Sequence, residues 1–137
     1  MPSKAFLMLE GIRGDARTAP WTGWIPIESV SFDPNVRGGT QKPVVVATLG
    51  GHSPHVAAAA ANGRSFGKGA IVLVSEGQAF AELEMPSLFI SGYRAGNGHA
   101  GLPAEVISLD PGTFKATFHQ KTAMANPSTL QRGWQVA

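Results

Sequence analysis

Along most of this chain apolar and polar residues alternate with a period of two, the mark of strands with one buried face. Ala5–Glu10 (AFLMLE) is a short apolar strand that ends at Gly11. Gly23–Phe32 (GWIPIESVSF) reads as a second strand, with Val30 and Phe32 on one face and Ser29 and Ser31 on the other. Pro26 has no N–H to give a ladder, which puts this strand at an edge or a bulge. Val44–Leu49 reads as a third. Lys68–Ser75 (KGAIVLVS) is apolar on both faces, Ile71 and Leu73 on one and Ala70, Val72 and Val74 on the other. Such a strand is central, or lies between a core and an interface. Ala79–Glu84 and Pro86–Tyr93 follow the turn Glu76-Gly77-Gln78, and residues 94–103 read as a glycine-rich loop. Ala104–Asp110 and Thr113–His119 form a hairpin across Pro111-Gly112. In it Phe114, Ala116 and Phe118 face the core, and Thr113, Lys115, Thr117 and His119 face out. The tail, residues 120–137, is polar as far as Gly133-Trp134, where a short terminal strand is expected.

One segment breaks this pattern. Ser53-Pro54 has the chemistry of a helix start: a hydroxyl able to accept a free backbone N–H at the N-cap, then proline where no N–H is needed. His55–Ala61 (HVAAAAA) continues it with high helix propensity, and Asn62-Gly63 supplies a left-handed stop. The expected architecture is a single domain over residues 1–137. It is mainly β, a two-sheet β-barrel of about eight short antiparallel strands with one short flanking α-helix.

Composition adds a hint of association. The chain is 43% hydrophobic but only 15% charged, against about 25% in an average domain. A surface short of charge is expected to be covered in part by another chain. The net charge of +2 comes from scattered cations with no basic cluster, so a nucleic-acid footprint is not expected. With no cysteine, disulfides and thiolate zinc sites are excluded. No apolar run approaches a membrane span, and no secretory leader is visible at Met1-Pro-Ser-Lys. The chain is therefore expected to fold in the cytoplasm, and to leave it, if at all, without a cleaved signal and without inserting into a membrane.

Chemical motifs are sparse. His52 and His55 flank the helix start and do not share a helical face at i, i+4 spacing, so a pair of polar residues around the cap is expected in place of a metal site. Glu82 and Glu84 share one strand face and read as solvated. His99 and His119 read as surface residues. There is no Gly-x-Ser-x-Gly elbow and no phosphate loop. No catalytic, cofactor or metal residue is assigned, and an enzyme is not expected.

Taken in order, several segments resemble the haemolysin-coregulated protein (Hcp) family, the tube subunits of type VI secretion. They are AFLMLEGIRGDA at 5–16, GWIPIESVSF at 23–32, SPHVAAAAANGRSFGKGAIVLV at 53–74, LEMPSLFISGYRAGNG at 83–98, LPAEVISLDPGTFKATF at 102–118 and the late GW at 133–134. Two carry most weight: the Ser-Pro-opened helix and the Pro-x-Glu-x-Ile-Ser-Leu strand after the glycine-rich loop. The resemblance implies a β-barrel with a flanking helix, homo-hexameric rings stacked into a hollow tube, and sheath, spike and effector proteins as partners.

On that reading, ring contacts are expected from strand 68–75 through Val72, from the small-residue helix face (Ala57, Ala58, Ala61), and from Phe89 and Tyr93. Ring stacking is expected from the loop Asp33–Lys42, through Asp33, Asn35, Arg37, Gly38, Gly39 and Lys42, because its length and glycines suit an arm that orders on contact. Ser29 and Ser31 are candidates for the lumen. The competing readings are a secreted ring-forming carrier that builds no tube, an oligosaccharide- or nucleic-acid-binding barrel, and a hydrolase on a β-scaffold. The barrel reading wants an exposed aromatic row with interleaved cations, and the hydrolase a catalytic constellation; the sequence shows neither.

Overall fold

A computed structural model of the chain describes residues 4–33, 41–97, 102–121 and 127–135. Eleven strands and one helix follow one another: β1 (Lys4–Leu9), β2 (Ile25–Ile27), β3 (Ser29–Asp33), β4 (Gln41–Thr48), α1 (Ser53–Asn62), β5 (Ser65–Phe66), β6 (Gly69–Ser75), β7 (Gln78–Met85), β8 (Leu88–Asn97), β9 (Pro103–Pro111), β10 (Thr113–Lys121) and β11 (Pro127–Gln135). They make two antiparallel sheets, a six-stranded one in the order β11-β10-β7-β6-β1-β2 and a five-stranded one in the order β3-β4-β9-β8-β5. The two-sheet, mainly-β reading with a single helix holds.

The closed barrel does not: the sheets stay separate, and the strands exceed eight for three local reasons. The predicted strand 23–32 is cut at Glu28, so that β2 ends the six-stranded sheet and β3 ends the five-stranded one. The Glu28 N–H is held by Val46 O at 2.7 Å, on the other sheet from β2. Ser65–Phe66 adds a two-residue strand against β8, and the terminal strand runs the length of β10. The predicted glycine-rich loop is also shorter, because Arg94–Asn97 stays in β8, paired with Pro103–Val106 of β9. Pro26 sits in edge strand β2, as its missing N–H requires.

Between the sheets lies the main core, with Leu7, Ile25, Ile71, Leu83, Met85, Ile107 and Leu109 all buried. Ile71 faces this core and Leu73 packs against it, while Val72 and Val74 point the other way. There they meet Phe6, Ala16 and Trp21 in a second apolar cluster. Its cover is the segment 13–24, which folds back on itself through Gly14 N to Gly23 O (2.7 Å) and Gly23 N to Ala16 O (2.9 Å). Trp21 stacks on Phe6 with ring centroids 5.6 Å apart. Gly14 is required here, since a Cβ would lie 2.4 Å from the Trp24 carbonyl oxygen. Strand β6 is thus central in its sheet and covered on both faces by its own chain.

On β10, Phe114 and Ala116 are buried in the main core and Phe118 packs partly against it, as predicted. Thr117 departs from expectation: it lies across from Glu82 and is 6% exposed.

Candidate assembly surface

Helix α1 packs against β8. Val56 and Ala59 enter the main core and Ala60 packs partly against it, leaving Ala57 half-buried and Ala58 and Ala61 exposed. The helix ends as the sequence predicts, with Gly63 in the left-handed region (φ 65) and Arg64 N–H bonded to Ala59 O at 3.0 Å. Its start is shifted by one residue. His52 is the N-cap and makes no side-chain cap bond, while the Ser53 hydroxyl accepts the Gly50 N–H at 3.0 Å.

The predicted surface residues fall into three groups. Ala57, Ala61, Ile90 and Tyr93 line a groove of about 360 Å³ between α1 and β8, and Phe89 is 43% exposed on the same strand. Val72 separates from them: at 1% exposed under Trp21 it is interior, not surface. Of the predicted stacking loop, Asn35, Arg37, Gly38 and Gly39 lie outside the described residues. Its ends lie on paired antiparallel strands, Asp33 of β3 across from Gln41 of β4 beyond a register shift between Ser31 and Asp33. Lys42 is a strand residue whose Nζ lies 3.0 Å from an Asp110 carboxylate oxygen. Ser29 and Ser31 are exposed on β3, across from Val46 and Val44; the side chain of Phe32 lies outside the described residues.

A polar cluster that the sequence reading missed lies behind the groove. Glu105 stands on β9 in the inward alternation with Ile107 and Leu109, and is 0% exposed. His52 Nε2 donates to Glu105 Oε1, and the Tyr93 hydroxyl donates to Glu105 Oε2 at 2.6 Å. Burial by itself would raise the Glu105 carboxyl pKa. The hydrogen bonds from His52 and Tyr93, with the attraction of His52 and a further bond from Ser53, outweigh that and hold it below the ordinary carboxylate value. Burial first, then the bond to Glu105 and its charge, push the Tyr93 phenol well above its usual range. His52 is 1% exposed, and its Nδ1 has no hydrogen-bond partner among the described residues. Both side chains are closed to solvent, and their bond ties β9 to the start of α1. The one available signal was a lone carboxylate on an otherwise apolar stripe, which must find a buried partner.

Among the described residues no group of three or more His, Cys, Asp or Glu could hold a metal. His55 is exposed and His52 buried, with the His55 N–H bonded to His52 O at 3.1 Å. Glu82 and His119 pair at 3.3 Å on the outer face of the six-stranded sheet, both partly exposed. No helix in the described residues is long and apolar enough to cross a membrane.

Two sheets, one flanking helix and a buried histidine–carboxylate tie define the described residues as a small β-sandwich. No family model matches the sequence, and no curated protein matches it. Solved structures do match, over nearly the whole chain. A type six secretion system protein superposes with a TM-score of 0.85 at 14% identity, covering 98% of this chain and 96% of that one. Hcp1 from Salmonella typhimurium gives 0.82 at 16% identity, covering 98% and 95%. The secreted protein Hcp3 from Pseudomonas aeruginosa gives 0.75 at 10% identity, covering 98% and 99%. The chain has the fold of the Hcp proteins, as the ordered segments of its sequence implied.

Proposed function

We propose that this chain is a structural, non-enzymatic component of a type VI secretion system, a subunit that forms homo-hexameric rings stacking into the expelled tube. The observation that carries this reading is full-length similarity. Hcp1 from Salmonella typhimurium and this chain overlap over 95% or more of both molecules. A chain with 15% charged residues and an open helix–strand groove also fits a molecule that spends its working life against copies of itself.

In a ring each subunit presents two different faces, one to each neighbour. The α1–β8 face, with Ala57, Ala58, Ala61, Phe89 and the ring of Tyr93, is the proposed contact on one side. The segment Asp33–Lys42 is proposed to reach the next ring. The outer face of the five-stranded sheet, with Ser29 and Ser31 beside Val44 and Val46, is proposed to line the lumen and meet effectors. Sheath and spike proteins are the remaining partners on this reading, and secretion without a cleaved signal is its route.

Light scattering on a sizing column, with negative-stain microscopy of the same peak, tests the reading. A hexamer of this 14.3 kDa chain has a mass of about 86 kDa and appears as hollow rings. A chain that stays monomeric at high concentration would overturn it. Deleting Gly38 and Gly39 is expected to spare rings and block tubes. Rings that never stack in the parent chain would mark a ring-forming carrier.

A further inference from the structure

The attachment of α1 is unusual for a helix in a small sandwich. Only Val56 and Ala59 among its apolar residues are buried. Its N-cap residue makes no side-chain bond to the free N–H groups of the first turn, that turn has no acidic residue, and the last turn has no basic one. Most of the remainder is alanine facing out or half-covered, so the helix gains little from burial. Both ends are glycines. Gly50-Gly51 precedes it, steadied by a 3.3 Å bond from Gly51 N–H to the exposed Asp15 carboxylate, and Gly63 follows it. A short segment with few buried apolar contacts and a glycine at each end has the profile of an element that opens locally.

Against this stands the cluster at its first turn. His52, where the helix begins, reaches a carboxylate on β9 that Tyr93 of β8 also holds. The residues facing Glu105 are therefore His52 and Ser53 from the start of α1, Tyr93 and Ala95 from β8, and Ala47 from β4; none but His52 can carry a positive charge. The bonds converge on one residue from two elements otherwise joined mainly by alanines.

We propose that Glu105, gripped by His52 and Tyr93, is the latch of a hinged helix: it fixes α1 to the five-stranded sheet, and once it is broken α1 leaves the sandwich as a unit while both sheets stay folded. The latch is a property of the single chain and does not depend on ring formation. It sets the shape of the α1–β8 groove, because Tyr93, one wall of that groove, is held in place by its hydroxyl. The two sheets do not need the helix to keep their ladders, since α1 contributes no strand pairing.

Hydrogen exchange read by mass spectrometry on peptides of the folded chain tests this, comparing the parent with Glu105→Gln. Loss of the carboxylate charge at a buried site is expected to speed exchange across residues 56–62 about tenfold or more, while β6 and β7 exchange as in the parent. Tyr93 is the single tyrosine, so its ionisation is read directly from near-ultraviolet absorbance. In Glu105→Gln it is expected at lower pH than in the parent. Exchange that rises equally in α1 and in β6–β7, or not at all in α1, overturns the proposal. If Glu105→Gln does not fold, Tyr93→Phe decides, because it removes one hydroxyl and keeps the ring and the carboxylate. It is expected to give the same α1-selective change at smaller amplitude, and uniform or absent change in that variant overturns the latch equally.

Discussion

His52 and Glu105 lie 53 positions apart in the chain and meet through a direct side-chain hydrogen bond in the interior. Glu105 lies in one of the two segments that most resemble the Hcp family, the strand PAEVISL, and His52 immediately precedes the other, the helix opened by Ser53-Pro54. The fold joins these segments through their polar residues, and the strength of that bond comes from charge in a dry setting.

Replacing Glu105 with Ala is expected to destabilise the chain by about 3–5 kcal/mol, because His52 and the Tyr93 hydroxyl lose their acceptor inside the protein. Glu105→Gln keeps an acceptor and is expected to cost about 1.5–3 kcal/mol. Urea unfolding checks both through the midpoint at constant slope.

The same residue sets an acid limit. Its folded-state pKa is lowered, so its contribution is fully present above the unfolded carboxylate value and is lost as pH falls through the lower, folded value. Stability of the parent is expected to fall over that acid range more steeply than that of Glu105→Gln, the two curves converging at the acid end. Parallel curves from neutral pH down would refute a lowered Glu105 pKa.

Trp21→Ala uncovers Phe6, Val72 and Val74 and is expected to cost about 3 kcal/mol or more. Gly14→Ala drives a methyl group into the Trp24 carbonyl and is expected to cost about 1–3 kcal/mol, with the strap displaced. Thermal melts of the two variants and the fluorescence of the tryptophans check this pair; a Gly14→Ala variant as stable as the parent would contradict the close fit.

Phe89→Glu and Ala58→Glu change exposed positions. On the ring reading they are expected to leave the sandwich folded and shift the sizing-column mass toward the monomer. Val72→Glu buries a charge under Trp21 and is expected to give misfolded protein, which makes it a poor test of assembly. Folded Phe89→Glu that still forms rings would remove the α1–β8 face from the contact.

Local pattern made much of the fold legible. The two-faced apolar run at 69–75 is the central strand of its sheet, the helix ends within a residue of Asn62-Gly63, and Pro111-Gly112 turns a hairpin. The missed features depend on what sits across a gap. In GWIPIESVSF the hand-over at Glu28 shows only as a break of phase, Ile25 and Ile27 packing inward before it and Val30 after it, with the polar pair Glu28-Ser29 between, and a bulge within one strand would give the same pattern. Ser65–Phe66 is a strand only because β8 lies alongside. Val72 reads as an interface residue until segment 13–24, polar and loop-like in sequence, is seen to place Trp21 on Phe6 over that cluster. The candidate site was half legible: the alanines of α1 are where the helix pattern put them, whereas the partner of His52 lies on a strand that no local spacing connects to it.

The sheet exchange at Glu28 has a mechanical meaning. Ile27 packs inward on one sheet, and two residues after Glu28 Val30 packs inward on the other. A slip of one position in the β1–β2 ladder would turn Ile27 outward, and one in the β3–β4 ladder would turn Val30 outward. The chain passes between the sheets like a shared axle through two gears: neither can change its register alone, and a load applied to one sheet must be carried by both.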